Sequence, residues 1–168
     1  GNLKGIKFIN QSTGMVYGYS SVGGMIKTTN GGLNWIGDYI LGSTVKSLDY
    51  INPTSLFAAS DEGRMYKTTN GGSNWDTLTK SFTGYINRVT FVDSLTGFMA
   101  GEKILKTTNG GGNWFKAINS TAYGIKDLHF INSSTGFAIG YTNTLNMNYY
   151  RTTDGGSNWL SVIDYPIY

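Results

Sequence analysis

Cleavage of a glycosidic bond by acid–base or nucleophilic chemistry needs two carboxylates that face each other. The chain has ten acidic residues in 168, and only Asp49 and Asp127, in predicted inner strands, form a pair worth considering. The acids Asp61, Glu62 and Glu102 are expected in loops, where carboxylates are most often solvated. We predict no catalytic residue, and we keep Asp49 and Asp127 as the two candidates to test.

Several other kinds of chemistry lack the residues that they need. The chain contains no cysteine, so thiolate metal sites and cysteine nucleophiles are excluded. It contains a single histidine, His129, which leaves little basis for a multi-histidine metal site or a serine–histidine relay. The net charge is +3, without any cluster of five basic residues, which is a poor basis for binding nucleic acid. No apolar segment approaches the length of a membrane-spanning helix. We predict no metal, no cofactor, no nucleic-acid partner and no membrane span.

A turn motif that ends in tryptophan recurs four times and contains all four tryptophans of the chain. Its first copy reads Lys-Thr-Thr-Asn-Gly-Gly-Leu-Asn-Trp and ends at Trp35, and the later copies end at Trp75, Trp114 and Trp159. Each copy follows a β-branched and aromatic segment and then a short apolar segment. The chain is therefore four copies of one unit of about 40 residues.

Each unit is predicted to form four short antiparallel strands. Asn-Gly between strand-like segments is the strongest short hairpin signal, and no segment keeps a period of 3.6 residues. One such sheet cannot cover both of its faces, so the sheets are expected to stack around an axis as a β-propeller. We predict one all-β propeller domain over residues 1–168, with blades at about 1–40, 41–80, 81–120 and 121–168.

Closure of the propeller is open to three interpretations. A compact four-bladed ring is favoured. The alternatives are half of a larger ring, completed by a second chain in a homodimer, and a fragment of a longer chain. An open half-ring would expose apolar faces on its first and last blades, which would promote association.

The repeated turn resembles the Asp-box, or BNR, motif Thr-x-Asn/Asp-x-Gly-x-x-Trp of β-propellers. The flanking strands are most similar to those of the photosystem II assembly-factor-like group and its bacterial secreted relatives. Three copies carry Asn where the family usually has Asp. The box residues are Thr28, Asn30, Gly32, Trp35; Thr68, Asn70, Gly72, Trp75; Thr107, Asn109, Gly111, Trp114; and Thr152, Asp154, Gly156, Trp159.

The resemblance implies a structural role for the box, on the edge of the blade away from the usual catalytic face. The residues agree, because the threonine hydroxyl and the Asn or Asp oxygen can accept backbone N–H groups of their own turn. Asn keeps the acceptor oxygen and loses only the charge. Basic residues precede each box at Lys27, Lys67, Lys106 and Arg151, and in the resembling family such residues are linked to a basic surface strip.

Candidate binding residues are predicted on the opposite face, where strand two connects to strand three and where each unit enters the next. Tyrosines suit recognition, because they offer a large contact area with a polar end. The predicted tyrosines are Tyr19, Tyr39, Tyr85, Tyr123 and Tyr141. Aligned repeats also place three lysines at one position near the start of the first strand, where they could attract an anionic group. They are Lys4, Lys46 and Lys126.

We predict a secreted or periplasmic, non-catalytic recognition or scaffold module that binds a protein segment or a glycan on this face. The alternative is a glycoside hydrolase or a fragment of one, because propellers with this motif include sialidases and xyloglucan-cleaving enzymes. Sialidases hold their substrate with three arginines, and this chain has three in all, one of them, Arg151, beside a box. The early Arg-Ile-Pro signature of that family is missing, which favours the binding module.

Overall fold

A computed structural model describes residues 1–19, 24–38, 44–78, 84–117, 123–141 and 147–163. These residues form strands and turns and contain no helix. The strands are β1 (Asn2–Phe8), β2 (Gly14–Tyr19), β3 (Met25–Thr28), β4 (Ile36–Asp38), β5 (Val45–Tyr50), β6 (Leu56–Ser60), β7 (Met65–Thr68), β8 (Asp76–Leu78), β9 (Ile86–Phe91), β10 (Gly97–Gly101), β11 (Ile104–Thr107), β12 (Phe115–Lys116), β13 (Tyr123–Phe130), β14 (Gly136–Tyr141), β15 (Met147–Thr152) and β16 (Leu160–Ile163).

The strands form four antiparallel sheets of four strands each, and within every sheet the strands lie in sequence order. We call β1–β4 the first sheet, β5–β8 the second, β9–β12 the third and β13–β16 the fourth. Because successive strands are neighbours, every connection inside a sheet is a hairpin. The prediction of an all-β chain of four four-stranded antiparallel sheets is confirmed. Closure of a ring within one chain stays a prediction.

The chain divides into two compact units, Gly1–Val89 and Thr90–Tyr168, which we call the first and second unit. In the first unit, Met15, Tyr17 and Met25 of the first sheet share one apolar cluster with Val45 and Leu48 of the second sheet. The second unit contains an equivalent cluster from the third and fourth sheets. A face of one sheet thus packs on the next sheet inside each unit.

The second strand of each sheet is the centre of its core. Strands β6 and β10 are buried along their whole length, as expected for short apolar strands that are covered on both faces. Strand β14 is different, because buried and exposed residues alternate along it. One face of the fourth sheet is therefore uncovered.

Candidate functional site

The box turns are held together by hydrogen bonds among their own residues. Thr28 Oγ1 donates to Asn30 Oδ1 at 3.0 Å and accepts from the Gly32 N–H at 2.9 Å. Asn30 Oδ1 also accepts from the Asn34 N–H at 2.9 Å. The side-chain oxygens of the box thus accept backbone N–H groups that would otherwise have no partner.

The other three box turns have the same bonds. In the fourth, Gly156 donates its N–H to Thr152 Oγ1 at 2.9 Å, and Asn158 donates its N–H to Asp154 Oδ1 at 2.9 Å. Both glycines of every box have positive φ, for example 71° at Gly31 and 92° at Gly32, which only glycine adopts readily. The N–H of the first box glycine also donates to the β1–β2 turn, from Gly31 to the Ser12 carbonyl at 2.8 Å.

The Asp154 carboxyl is the one charged group in a box position. Its pKa is lowered to about 2, first by the backbone N–H of Asn158 and then by the side chain of Asn158, whose Nδ2 donates to Asp154 Oδ2 at 2.7 Å. A similar turn lowers the pKa of Asp93, where the backbone N–H groups of Thr96 and then Leu95 are the main causes. Both acids act as acceptors within turns.

The described candidate binding residues of the first unit lie at the other end of the sheets from the box turns. Lys4 and Tyr19 occupy the start of β1 and the end of β2, which are adjacent because the two strands are antiparallel. Together with Lys46 they line an open cavity of about 330 Å³. Its remaining lining residues are Asn2, Thr44 and Asp61.

The two lysines of the cavity occupy equivalent irregularities in their strands. The register of β1 with β2 shifts between Leu3 and Gly5, and the register of β5 with β6 shifts between Val45 and Ser47. Each lysine is thus the extra residue of a β-bulge, a device that redirects a side chain at a sheet edge. Lys4 is exposed and Lys46 is half-buried. The predicted equivalence of Lys4 and Lys46 therefore has a structural counterpart.

The third predicted lysine, Lys126, lies in the second unit. Its Nζ lies over the ring of Tyr141, 5.4 Å from the centroid, which is a cation–π contact. Both residues line a smaller cavity of about 90 Å³ with residues of β14 and β15, among them Met147 and Tyr149. The structure thus brings Lys126 and Tyr141 together in this unit.

The remaining predicted tyrosines are described only in part. Tyr85 is exposed just before β9. Tyr123 begins β13, but its side chain lies outside the described residues. Tyr39 also lies outside them, as do residues 40–43, 79–83, 118–122 and 142–146. These residues stay predictions.

The two catalytic candidates have different surroundings. Asp49 is buried, and its Oδ1 lies 2.9 Å from Lys7 Nζ of the first sheet. Asp127 is exposed, and its Oδ1 accepts the N–H of Leu128 at 2.9 Å. Strand pairing places Asp49 opposite Phe57 but Asp127 opposite Ile139, so the two aspartates occupy different positions of the repeat. Within the described residues, no group of three His, Cys, Asp or Glu could hold a metal ion.

One charged residue of the larger cavity was expected at this end of the sheets but was not among the candidate binding residues. Asp61 was expected to be a solvated loop acid, yet it lines the cavity with Lys4 and Lys46. Strand pairing shows that Asp61 follows β6 where Tyr19 ends β2 and Tyr141 ends β14. A strict alignment of the four repeats contains this signal.

None of the described segments is a helix long and apolar enough to cross a membrane.

Known structures share this fold. YCF48 bound to D1 peptide matches with a TM-score of 0.72 at 18% identity, over 95% of this chain and 52% of that one. YCF48 from Cyanidioschyzon merolae matches with a TM-score of 0.73 at 17% identity, over 98% of this chain and 56% of that one. The GH74 enzyme of Niastella koreensis matches with a TM-score of 0.75 at 17% identity, over 95% of this chain and 30% of that one.

These similarities establish a β-propeller fold. The chain spans about half the length of the YCF48 structures and about a third of the GH74 enzyme. The sequence itself matches no protein-family model and no curated protein. Fold alone does not fix function, because function depends on the site that a fold carries.

Proposed function

We propose that the chain is a non-catalytic binding module that recognises an acidic segment of another protein. The observation that carries the proposal is the cavity lined by Lys4, Lys46 and Tyr19. Two ammonium groups against the single carboxylate of Asp61 leave an excess of positive charge, which favours an anionic partner. The similarity to YCF48, a propeller solved with a bound D1 peptide, supports a peptide as the kind of partner.

The cavity has the mixture of groups that a peptide needs. Tyr19 is 52% exposed and offers an aromatic surface for side chains of the partner. Asn2 and Thr44 can exchange hydrogen bonds with peptide backbone. The lysines are flexible point charges rather than planar forks, so they suit carboxylates presented at varied angles.

A peptide array that contains acidic, neutral and basic segments tests the proposal. We expect the acidic segments to bind, with an affinity that falls as salt rises because exposed charges are screened. The double variant Lys4→Ala/Lys46→Ala should lose most of this binding, whereas Lys116→Ala, an exposed lysine of β12, should keep it. Equal binding of basic and acidic segments would contradict the proposal.

A glycan is the other partner that the sequence indicates, and a hydrolase is the other function. The similarity to GH74 enzymes supports testing both. The burial of Asp49 against Lys7 disfavours catalysis, because a carboxylate that is buried and already engaged with an ammonium group is not within reach of a substrate. Purified chain should release no sugar from xyloglucan. Turnover that disappears in Asp49→Asn or Asp127→Asn would replace the binding module with the hydrolase.

We also propose that the chain is an Asp-box propeller that works outside the cytoplasm, like the bacterial secreted proteins that it resembles. The fourfold Thr–Asn/Asp–Gly bonding pattern supports the first part. Fractionation of cells that express the natural gene tests the second. We expect the protein in the periplasm or the medium, and its retention in the cytoplasm would contradict this location.

A further inference from the structure

Two of the four sheets present an uncovered apolar face. On the first sheet it consists of Leu3, Ile6 and Phe8, which we call the leading face. On the fourth sheet it consists of Phe137, Ile139 and Tyr149, which we call the trailing face. The six side chains are between 39% and 68% exposed. Soluble proteins seldom leave such clusters uncovered without an interaction to serve.

The repeat shows what these faces contact elsewhere. Strand pairing makes the trailing face equivalent to Phe98, Ala100 and Ile104 of the third sheet. Those residues are fully buried, and they share one cluster with Ile125 and Leu128 of the fourth sheet. Ile125 and Leu128 are in turn equivalent to Leu3 and Ile6 of the leading face.

The first unit repeats the same arrangement between its two sheets. Met15, Tyr17 and Met25 are equivalent to the trailing face and share a cluster with Val45, Leu48 and Tyr50, which are equivalent to the leading face. Inside each unit, a surface of the trailing type is therefore covered by a surface of the leading type.

The leading face carries a pair of aromatic rings, Phe8 with Trp35, that matches the pair on which Phe98 packs in the second unit. In the second unit, Phe98 stacks on Phe130 with centroids 4.2 Å apart, and Phe130 meets Trp159 edge to face at 5.7 Å and 86°. On the first sheet, Phe8 and Trp35 meet at 6.2 Å and 86°. The geometry of the receiving pair is thus nearly the same in both places.

The box glycines show that the space above this pair is open on the first sheet. A Cβ on Gly156 would collide with the ring of Phe98, whereas a Cβ on Gly32 would meet only Trp35, at 3.5 Å or more. Gly32 is the equivalent of Gly156. The position that Phe98 fills over Gly156 is therefore available over Gly32.

A polar contact accompanies each internal interface. Lys27 Nζ donates to the Gly71 carbonyl, and Lys106 Nζ donates to the Gly155 carbonyl at 2.7 Å. Each lysine precedes one box turn and reaches the first of the two glycines in the box turn of the next sheet. Arg151 is their equivalent on the fourth sheet and is exposed, and a guanidinium can make the same donation.

We propose that the trailing face binds the leading face of a second copy of this chain. Phe137 of one copy seats on Phe8 and Trp35 of the other, and Arg151 donates to the Gly31 carbonyl. The contact is head to tail, because two different faces meet. It continues across two chains the packing that each unit already uses within one chain.

Sedimentation velocity over a range of protein concentrations tests this contact. The 168-residue chain should sediment as a dimer or larger assembly, and Phe137→Asp and Ile6→Asp should each shift it to the monomer. Leu160→Asp, at an exposed residue of the outer strand β16 of the same sheet, is the matched control and should still associate. Circular dichroism should show that all variants are folded, because the substituted residues are exposed.

Mixing the two monomeric variants makes the test specific to head-to-tail pairing. Phe137→Asp keeps an intact leading face and Ile6→Asp keeps an intact trailing face, so the mixture should form a one-to-one dimer. A wild-type chain that stays monomeric at every concentration would overturn the proposal. This is the result expected if the trailing face packs on the leading face of the same chain and closes the ring. Association that survives both substitutions, or a mixture that stays monomeric, would overturn the proposal too.

Discussion

Lys106 donates a hydrogen bond from its Nζ to the carbonyl of Gly155 at 2.7 Å, and so fastens the third sheet to the box turn of the fourth. Lys27 makes the same bond to Gly71 between the first and second sheets. The ammonium groups of Lys67 and Lys106 also lie over phenylalanine rings, at 5.2 Å and 5.8 Å. Lys27 and Lys106 thus hold neighbouring sheets together, which is a structural use of residues that the resembling family links to a surface strip.

Replacing Lys106 with methionine should lower stability. The substitution keeps an unbranched apolar side chain but removes the charged donor and its contact with the Phe98 ring, so the free energy of unfolding should fall by about 1–2 kcal/mol. Urea denaturation followed by tryptophan fluorescence measures this change. Lys103→Met, at an exposed position, is the control and should change stability little. Equal stability of the two variants would contradict a structural role for the Lys106 bond.

The hydroxyl of the box threonine Thr107 should contribute more to stability than the hydroxyl of the adjacent Thr108. Thr107 is buried, and its Oγ1 accepts the N–H of Gly111 at 3.0 Å. Thr107→Val keeps the shape and leaves this buried N–H without its acceptor, which should cost about 1–3 kcal/mol. The matched control is Thr108→Val, since Thr108 is exposed. A thermal or urea melt in which both variants match the wild type would contradict the box bonding described above.

Acid should reveal the contribution of Asp154. Its pKa in the folded chain is about 2, below the usual value of 3.8. A lowered pKa stabilises the fold above the unfolded value, and this contribution is lost as the pH falls from about 4 towards 2. Asp154→Asn should therefore be less stable than the wild type at neutral pH, and the difference should shrink below pH 4.

Melting temperatures of the wild type and Asp154→Asn at several pH values measure this difference. Asp93 titrates in both proteins, so its contribution cancels in the comparison. A stability difference that stays constant down to pH 2, or that grows in acid, would show that the Asp154 carboxylate does not stabilise its turn.

The sheets could be predicted well from the sequence because the same pattern of turns and apolar segments recurs four times. Asn-Gly turns fix the hairpins, and the apolar segment that starts at Gly97 can only be a central strand in this context. The bulges at Lys4 and Lys46 were not predictable, because a bulge is a shift in pairing that no single residue type marks. The exposure of Phe137 was not predictable from its type either. Phe98 follows the same Thr-Gly pair in the sequence, and only the next sheet decides whether the ring is covered.

The two lysines of the larger cavity should contribute little to the stability of the fold. Lys4 is exposed and Lys46 is half-buried, so Lys4→Ala/Lys46→Ala should melt within a few degrees of the wild type. Differential scanning fluorimetry measures this. A large fall in the melting temperature would mean that the two lysines stabilise the sheets and would weaken their assignment to a binding site.

The central claim is that the box turns are structural and that recognition occurs at the opposite end of the sheets. The most direct test measures the melting temperature and the affinity for an array-selected acidic peptide in Asn70→Ala and in Lys4→Ala/Lys46→Ala. Asn70 Oδ1 accepts from Thr68 Oγ1 and from the Asn74 N–H, both at 2.9 Å. We expect Asn70→Ala to lower the melting temperature and keep the affinity, and the lysine variant to keep the melting temperature and lose the affinity. An Asn70→Ala protein with an unchanged melting temperature and no peptide binding would contradict the claim.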